Sequence, residues 1–153
     1  MNKVSFNEEL CMGCGLCHVY CKVEHSMSKD ILKAFKREIP GPVARIRIER
    51  NGQACFSVQC RQCEEPLCVY ACLTGAMTRD TVSGTVCVDS RKCIGCWTCI
   101  LMCPLAALAR DKDRKVIAKC DLCPDRDVPA CVTNCPNEAL TYVTEQDATK
   151  VGI

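Results

Sequence analysis

The chain has 153 residues, 18 of them cysteine, and a formal charge of +2 with 25% charged residues. That length suits one ordinary domain or two very small ones, and without the cysteines only about a third of it is apolar, thin for a hydrophobic core. The near-balanced charge excludes the basic surface of a nucleic-acid binder, and the sequence holds no run of about 18 apolar residues to span a membrane.

In chain order, a short β-like segment at residues 4–7 leads to the first cysteine group, Cys11, Cys14, Cys17 and Cys21. The charged stretch after it, with no apolar run behind Met1, predicts no secretory signal. Thiols at this density without export point to a reducing cytoplasm. Residues 28–39 place Ile31, Leu32, Phe35 and Ile39 on one helical face. Ser28 is expected to cap this helix and Pro40-Gly41-Pro42 to end it. Lys29, Lys33, Lys36 and Arg37 give it a basic flank, read as a solvated face. A hairpin follows over 45–49 and 54–58, turning at Asn51-Gly52.

The second group is Cys60, Cys63, Cys68 and Cys72; the third is Cys93, Cys96, Cys99 and Cys103, with Pro104 behind it. The fourth is Cys120, Cys123, Cys131 and Cys135, followed by Pro136. All four groups leave three residues before the last thiol. A repeat extends past them: Ala76-Met77-Thr78, Ala107-Leu108-Ala109 and Ala139-Leu140-Thr141 follow groups two to four at one spacing. Segments 56–58, 86–89 and 116–117 precede the same groups as short strands. The unit is therefore strand, cysteine loop, short helix, strand. Group one departs from it, because Cys21 runs into Lys22-Val23-Glu24-His25 instead of a proline and a strand.

Three thiols at two-residue gaps, then C-x3-C-P, form the run in which three thiolates hold one [4Fe–4S] cluster and the fourth reaches another. Gly95 lets the loop approach the cluster and adopt positive φ. Pro104 suits a first helical position, which sets Cys103 at the start of a helix. The fold class is expected to be α+β, two bacterial 2[4Fe–4S] ferredoxin-like modules with one inserted in the other. Residues 53–110 form the inserted module; 1–52 and 111–153, with helix 28–39, form the outer one. Crossed ligation then predicts four sets. Cluster A takes Cys11, Cys14, Cys17 and Cys135, and cluster B takes Cys21, Cys120, Cys123 and Cys131. Cluster C takes Cys60, Cys63, Cys68 and Cys103, and cluster D takes Cys72, Cys93, Cys96 and Cys99. Four clusters of about −2 each bring the loaded protein to about −6, and the unloaded chain is expected to fold poorly.

The alternative is a structural zinc-binding interaction module, but structural zinc pairs two C-x2-C knuckles across a longer gap. Cys55 and Cys87 are left over and read as structural thiols. His18 and His25 flank group one without a ligand role, since each cluster already has four thiolates. Trp97 is expected to shield a cluster from water, and backbone N–H groups of the loops to face the sulfurs.

With C-I-G-C-W-T-C at Cys93 and K-C-D-L-C at Lys119, the chain resembles the four-cluster electron-transfer subunits of complex iron–sulfur oxidoreductases over roughly residues 4–143. Members of that family serve formate dehydrogenases, dimethyl sulfoxide and polysulfide reductases, hydrogenases, CO dehydrogenase and tungsten aldehyde oxidoreductases. The two motifs look most like the small members beside the last two enzymes. Nitrate reductase relatives carry Trp at the second thiol of group three; Cys96 stands there, so the resemblance implies four cubane clusters. Membrane-bound relatives often end in a membrane helix, and residues 144–153 are expected not to form one. The resemblance implies a non-catalytic cytoplasmic relay of anaerobic metabolism, in a hetero-oligomer with a catalytic oxidoreductase subunit and a further donor or acceptor. No nucleic acid and no membrane span are expected. The 28–39 helix is expected to be either a partner-binding face or a lid on the clusters.

Overall fold

In the computed structural model, which describes residues 2–144, each cysteine group follows a strand and runs into a short helix. Group one lies between β1 (Lys3–Phe6) and enters α1 (Leu16–Glu24), after which come α2 (Ile31–Lys36) and the hairpin β2 (Ile46–Asn51) and β3 (Ala54–Gln59). Group two runs from β3 through α3 (Leu67–Tyr70) to β4 (Met77–Arg79). Group three runs from β5 (Val86–Val88) through α4 (Thr98–Met102) to β6 (Ala109–Asp111). Group four runs from β7 (Val116–Ala118) through α5 (Ala130–Thr133) to β8 (Leu140–Val143). The fold is α+β and ferredoxin-like, with small antiparallel strand pairs and short helices.

Four two-stranded sheets hold the elements: β1 with β8, β2 with β3, β4 with β5, and β6 with β7. The first joins the two ends of the described chain, Val4 opposite Tyr142 and Phe6 opposite Leu140. Strands this short cannot hold an independent sheet, so they depend on the cores beneath them. One core gathers Val4, Cys17, Cys21, Ile46, Leu122, Cys131 and Leu140, and so combines groups one and four. The second gathers Met77, Cys99, Leu108 and Ile117, with Cys68, Cys72, Cys93, Trp97 and Cys103 against it, and so combines groups two and three. β6 runs across residue 110, and its partner β7 sends Ile117 into the second core. The hairpin β6–β7 therefore joins the two halves where a boundary after residue 110 was expected.

Two expectations need correction. Cys103 does not start a helix; it ends α4 with an extended backbone (φ −82, ψ 112), and Pro104 lies beyond the helix. The proline ring disfavours helical φ/ψ at the residue before it, so it terminates the element here. The 28–39 helix is shorter than its pattern, spanning Ile31–Lys36. Asp30, not Ser28, caps it by accepting the Lys33 N–H at 2.9 Å. Ser28 donates its hydroxyl to the Glu38 carboxylate at 2.5 Å and its N–H at 2.9 Å, which folds the chain back just after the helix.

The helix packs inward on its alanine side. Ala34 is buried, while Ile31, Leu32, Phe35 and Ile39 are exposed, Leu32 at 65% and Ile39 at 93%. No helix among the described residues is long and apolar enough to cross a membrane. The expectation for the C-terminal tail concerns residues 145–153, which lie outside the described part.

Candidate metal centres

The thiols converge in fours, and each four mixes two distant groups. Cys11, Cys14 and Cys17 share one cavity wall with Cys135. Cys60, Cys63 and Cys68 line a second with Cys103. Cys72 lines a third with Cys93, Cys96 and Cys99, where Trp97, Met77 and Ile117 complete the wall. For the remaining four thiols, Cys131 feels the charges of Cys120, Cys21 and Cys123, and after them that of Cys17 from the first set.

Burial makes several of these sites poor places for a lone thiolate, whereas at Cys72 hydrogen bonds from Met77 and Thr74 outweigh burial and at Cys96 the Thr98 hydroxyl holds the thiol down. Burial pushes the Cys17 thiol up to about 11 against a backbone hydrogen bond from His18, and Cys14, Cys135 and Cys11 add to the rise. Burial likewise lifts Cys99 to about 11, helped by Cys93, Cys96, Cys68 and Cys72. Cys131 is raised by burial first and by Cys120, Cys21 and Cys123 after it. Four crowded soft sulfur donors in low dielectric call for positive charge between them, and iron bound through thiolate supplies it. The donor sets therefore fit iron–sulfur clusters.

The loops are shaped for close approach. The residue before the second thiol has positive φ in every group: Gly13 (69°), Gln62 (51°), Gly95 (68°) and Leu122 (64°). A Cβ on Gly95 would clash with the Lys115 carbonyl oxygen, and one on Gly13 would lie 2.6 Å from the Cys55 sulfur. The third residue after the last thiol repeats the feature at Gly75 (64°), Ala106 (47°) and Glu138 (53°), aiming the chain into the following strand. Just past it, the Met77 N–H donates to the Cys72 sulfur at 3.3 Å and the Ala107 N–H to the Cys103 sulfur at 3.5 Å.

Group one obtains the same contact differently. After Cys21 the helix continues, and the Arg45 N–H returns 24 residues later to donate to the Cys21 sulfur at 3.2 Å. The Arg45 side chain meanwhile ion-pairs with Asp121, which also accepts from His25 at 3.1 Å. Burial opposes ionisation of both partners. Their hydrogen bond nevertheless holds His25 up at about 9 and, with Arg45, keeps the Asp121 carboxyl well below its usual range. The His25 Nδ1 lies 3.7 Å from the Cys21 sulfur, and His18 is tied to the Ile46 carbonyl at 3.0 Å. Trp97 lines the cavity of Cys93, Cys96 and Cys99, with the Arg110 guanidinium 5.4 Å from its ring centre. Cys55 and Cys87 are half-buried on β3 and β5.

Sequence reasoning missed a buried polar cluster at the join of the two cores. Lys119 is 2% exposed and Gln62 is fully buried. The Lys119 ammonium donates to Gln62 Oε1 (3.2 Å), the Val86 carbonyl (2.6 Å) and the Cys120 carbonyl (2.9 Å). Gln62 accepts the Val86 N–H at 2.9 Å and donates to the Cys120 carbonyl at 3.1 Å. A lone Lys and a lone Gln carry no periodic signal, and Lys is almost always exposed.

Residues 52–145 match the 4Fe–4S dicluster domain family, and residues 4–24 match a 4Fe–4S binding domain. The chain belongs to the 4Fe–4S dicluster family. An iron–sulfur protein of Rhodospirillum rubrum is 32% identical over 96% of this chain and 84% of its own length. The electron transport protein HydN of Escherichia coli K12 is 34% identical over 87% and 82%. A chain of the active-site complex BamBC of benzoyl coenzyme A reductase has the same fold, with a TM-score of 0.51 at 19% identity, covering 99% of this chain and 86% of that one. The protein binds several [4Fe–4S] clusters and is a non-catalytic electron-transfer member of the family.

Proposed function

We propose that the chain carries four [4Fe–4S] clusters on the sets of Cys11, Cys14, Cys17 and Cys135; Cys21, Cys120, Cys123 and Cys131; Cys60, Cys63, Cys68 and Cys103; and Cys72, Cys93, Cys96 and Cys99. The observation that carries this reading is the convergence of each last thiol on a different group's first three, most plainly Cys135 beside Cys11, Cys14 and Cys17. The β1–β8 pairing and the two cores support an outer module built on groups one and four around an inserted module built on groups two and three, placed by the sequence at 1–52 and 111–153 and at 53–110, with the β6–β7 hairpin bridging the second boundary.

Each bound cluster would take up and release one electron at a time. The chain's own residues supply the rest: thiolates that hold four sites close together, backbone N–H groups on the sulfurs, and walls that keep water away. We assign it a cytoplasmic relay role between the catalytic subunit of an oxidoreductase and a second donor or acceptor, in a hetero-oligomer. The exposed side chains Ile31, Leu32, Phe35 and Ile39 do not line the three cavities of the Cys11, Cys60 and Cys93 sets. A partner-binding face therefore suits α2 better than a lid.

Anaerobically purified protein is expected to hold about 16 iron atoms with equal sulfide, four cubes of four. Stoichiometric zinc, or iron for three clusters in fully loaded protein, contradicts the reading.

A further inference from the structure

We propose that Lys119 is the internal counter-cation of the cluster on Cys60, Cys63, Cys68 and Cys103, and that its ammonium raises that cluster's reduction potential. The inference rests on the four-cluster reading above. It begins from a charge without an ionic partner. All three ammonium donors go to neutral oxygens, of Gln62, Val86 and Cys120. Among the described residues no carboxylate lies in ion-pair range of it. An ammonium nearly sealed from water is strongly unfavourable unless an anion compensates it.

The anion is implied by position. Lys119 forms part of the wall of the cavity lined by Cys60, Cys63, Cys68 and Cys103. A cluster there, with its four thiolates, carries about −2 when oxidised and about −3 after one electron enters. No bond forms or breaks in that step, and no proton moves. A fixed cation beside the site therefore favours the reduced form. The second nearest set is that of Cys120, whose carbonyl accepts from the same ammonium and from Gln62. Its cluster feels a weaker effect of the same sign. Gln62 holds the arrangement, since its two polar atoms bridge Val86, Lys119 and Cys120 while its backbone lies in the Cys60–Cys63 loop.

The test is a redox titration of whole, anaerobically loaded protein followed by EPR. Wild type, Lys119→Met, Lys119→Arg and Gln62→Glu are compared, and Cys103→Ser identifies the component concerned. In Lys119→Met the reduced-to-oxidised ratio of that component at a fixed potential is expected to fall at least tenfold, equivalent to about 59 mV for a one-electron couple. Lys119→Arg keeps the wild-type value. Gln62→Glu, which sets a carboxylate against the ammonium, lowers the same component. The components on the Cys11 and Cys93 sets stay in place.

An unshifted Cys103-dependent component in loaded Lys119→Met, or an equal shift of every component, overturns the proposal. If Lys119→Met does not load, an unshifted component in Gln62→Glu overturns it alone. Wild-type iron below four clusters counts against the cluster reading instead, while the Cys103-dependent component still reports on Lys119.

Discussion

The smallest features that decide the site are backbone torsions. Gly95 is readable in advance, because glycine is the natural residue for a tight loop at positive φ. Gln62 and Leu122 occupy the same torsion at the same place in groups two and four, and nothing about their side chains announces it. Ala106 and Glu138 likewise stand where Gly75 marks the turn openly. Residue identity thus revealed only part of a geometry that all four loops share. This gives a paired prediction. Gly95→Ala meets both an unfavourable torsion and the Lys115 carbonyl oxygen, whereas Gly75→Ala meets the torsion alone, with nothing within 4 Å of its Cβ. The torsion costs about 1–3 kcal/mol, so anaerobic thermal unfolding is expected to rank Gly95→Ala clearly below Gly75→Ala. Only Gly95→Ala is expected to lose iron. Equal losses would remove the steric argument.

At the scale of elements, the strands beside the thiols were legible because the strand–loop–helix–strand unit repeats in the sequence. The hairpin β2–β3 was legible from Asn51-Gly52 between two β-rich runs. α2 was legible as a helix but not in its bounds. Its apolar pattern left open a lid or a partner-binding face, and the pattern looks outward while Ala34 packs inward. Periodicity reports that a face is apolar; it does not say what covers it. The Lys22 ammonium lies 4.9 Å from the Phe35 ring centre on this face. Leu32→Glu with Phe35→Glu is therefore expected to leave the iron content intact and to weaken association with the catalytic subunit at least tenfold, measured by anaerobic titration of the two proteins. Loss of iron with association unchanged would return α2 to the role of a lid.

The same scale explains how group one dispenses with a strand. Its last sulfur takes its hydrogen bond from Arg45, at the edge of β2, where groups two and three use Met77 and Ala107 on the segment that directly follows. Deleting residues 26–42 and joining the ends with a short Gly/Ser linker is expected to keep the hairpin's contact with Cys21 only if that return path survives. Removing the hairpin as well is expected to lose the cluster on Cys21, Cys120, Cys123 and Cys131 before the others. Iron and sulfide counts on the two deletions distinguish a structural insertion from a dispensable one, and equal iron in both would refute this account of Cys21.

For the whole molecule, the sixteen grouped cysteines declared the chemistry and the crossed spacing suggested which groups meet. In space the described chain's two ends pair through β1 and β8, and its buried residues gather in two cores. The buried Lys119–Gln62 cluster between the cores was not legible, since its meaning lies in contacts between stretches 57 residues apart. The central claim is that the last thiol of one group serves the cluster of another. Cys135→Ser tests it most directly, by EPR and Mössbauer spectroscopy of the anaerobically reconstituted protein with Cys21→Ser as the reciprocal. The account predicts that Cys135→Ser perturbs the cluster on Cys11, Cys14 and Cys17, near the other end of the sequence, while the one on Cys120, Cys123 and Cys131 keeps its wild-type signature. A change confined to the Cys120, Cys123 and Cys131 cluster would contradict it.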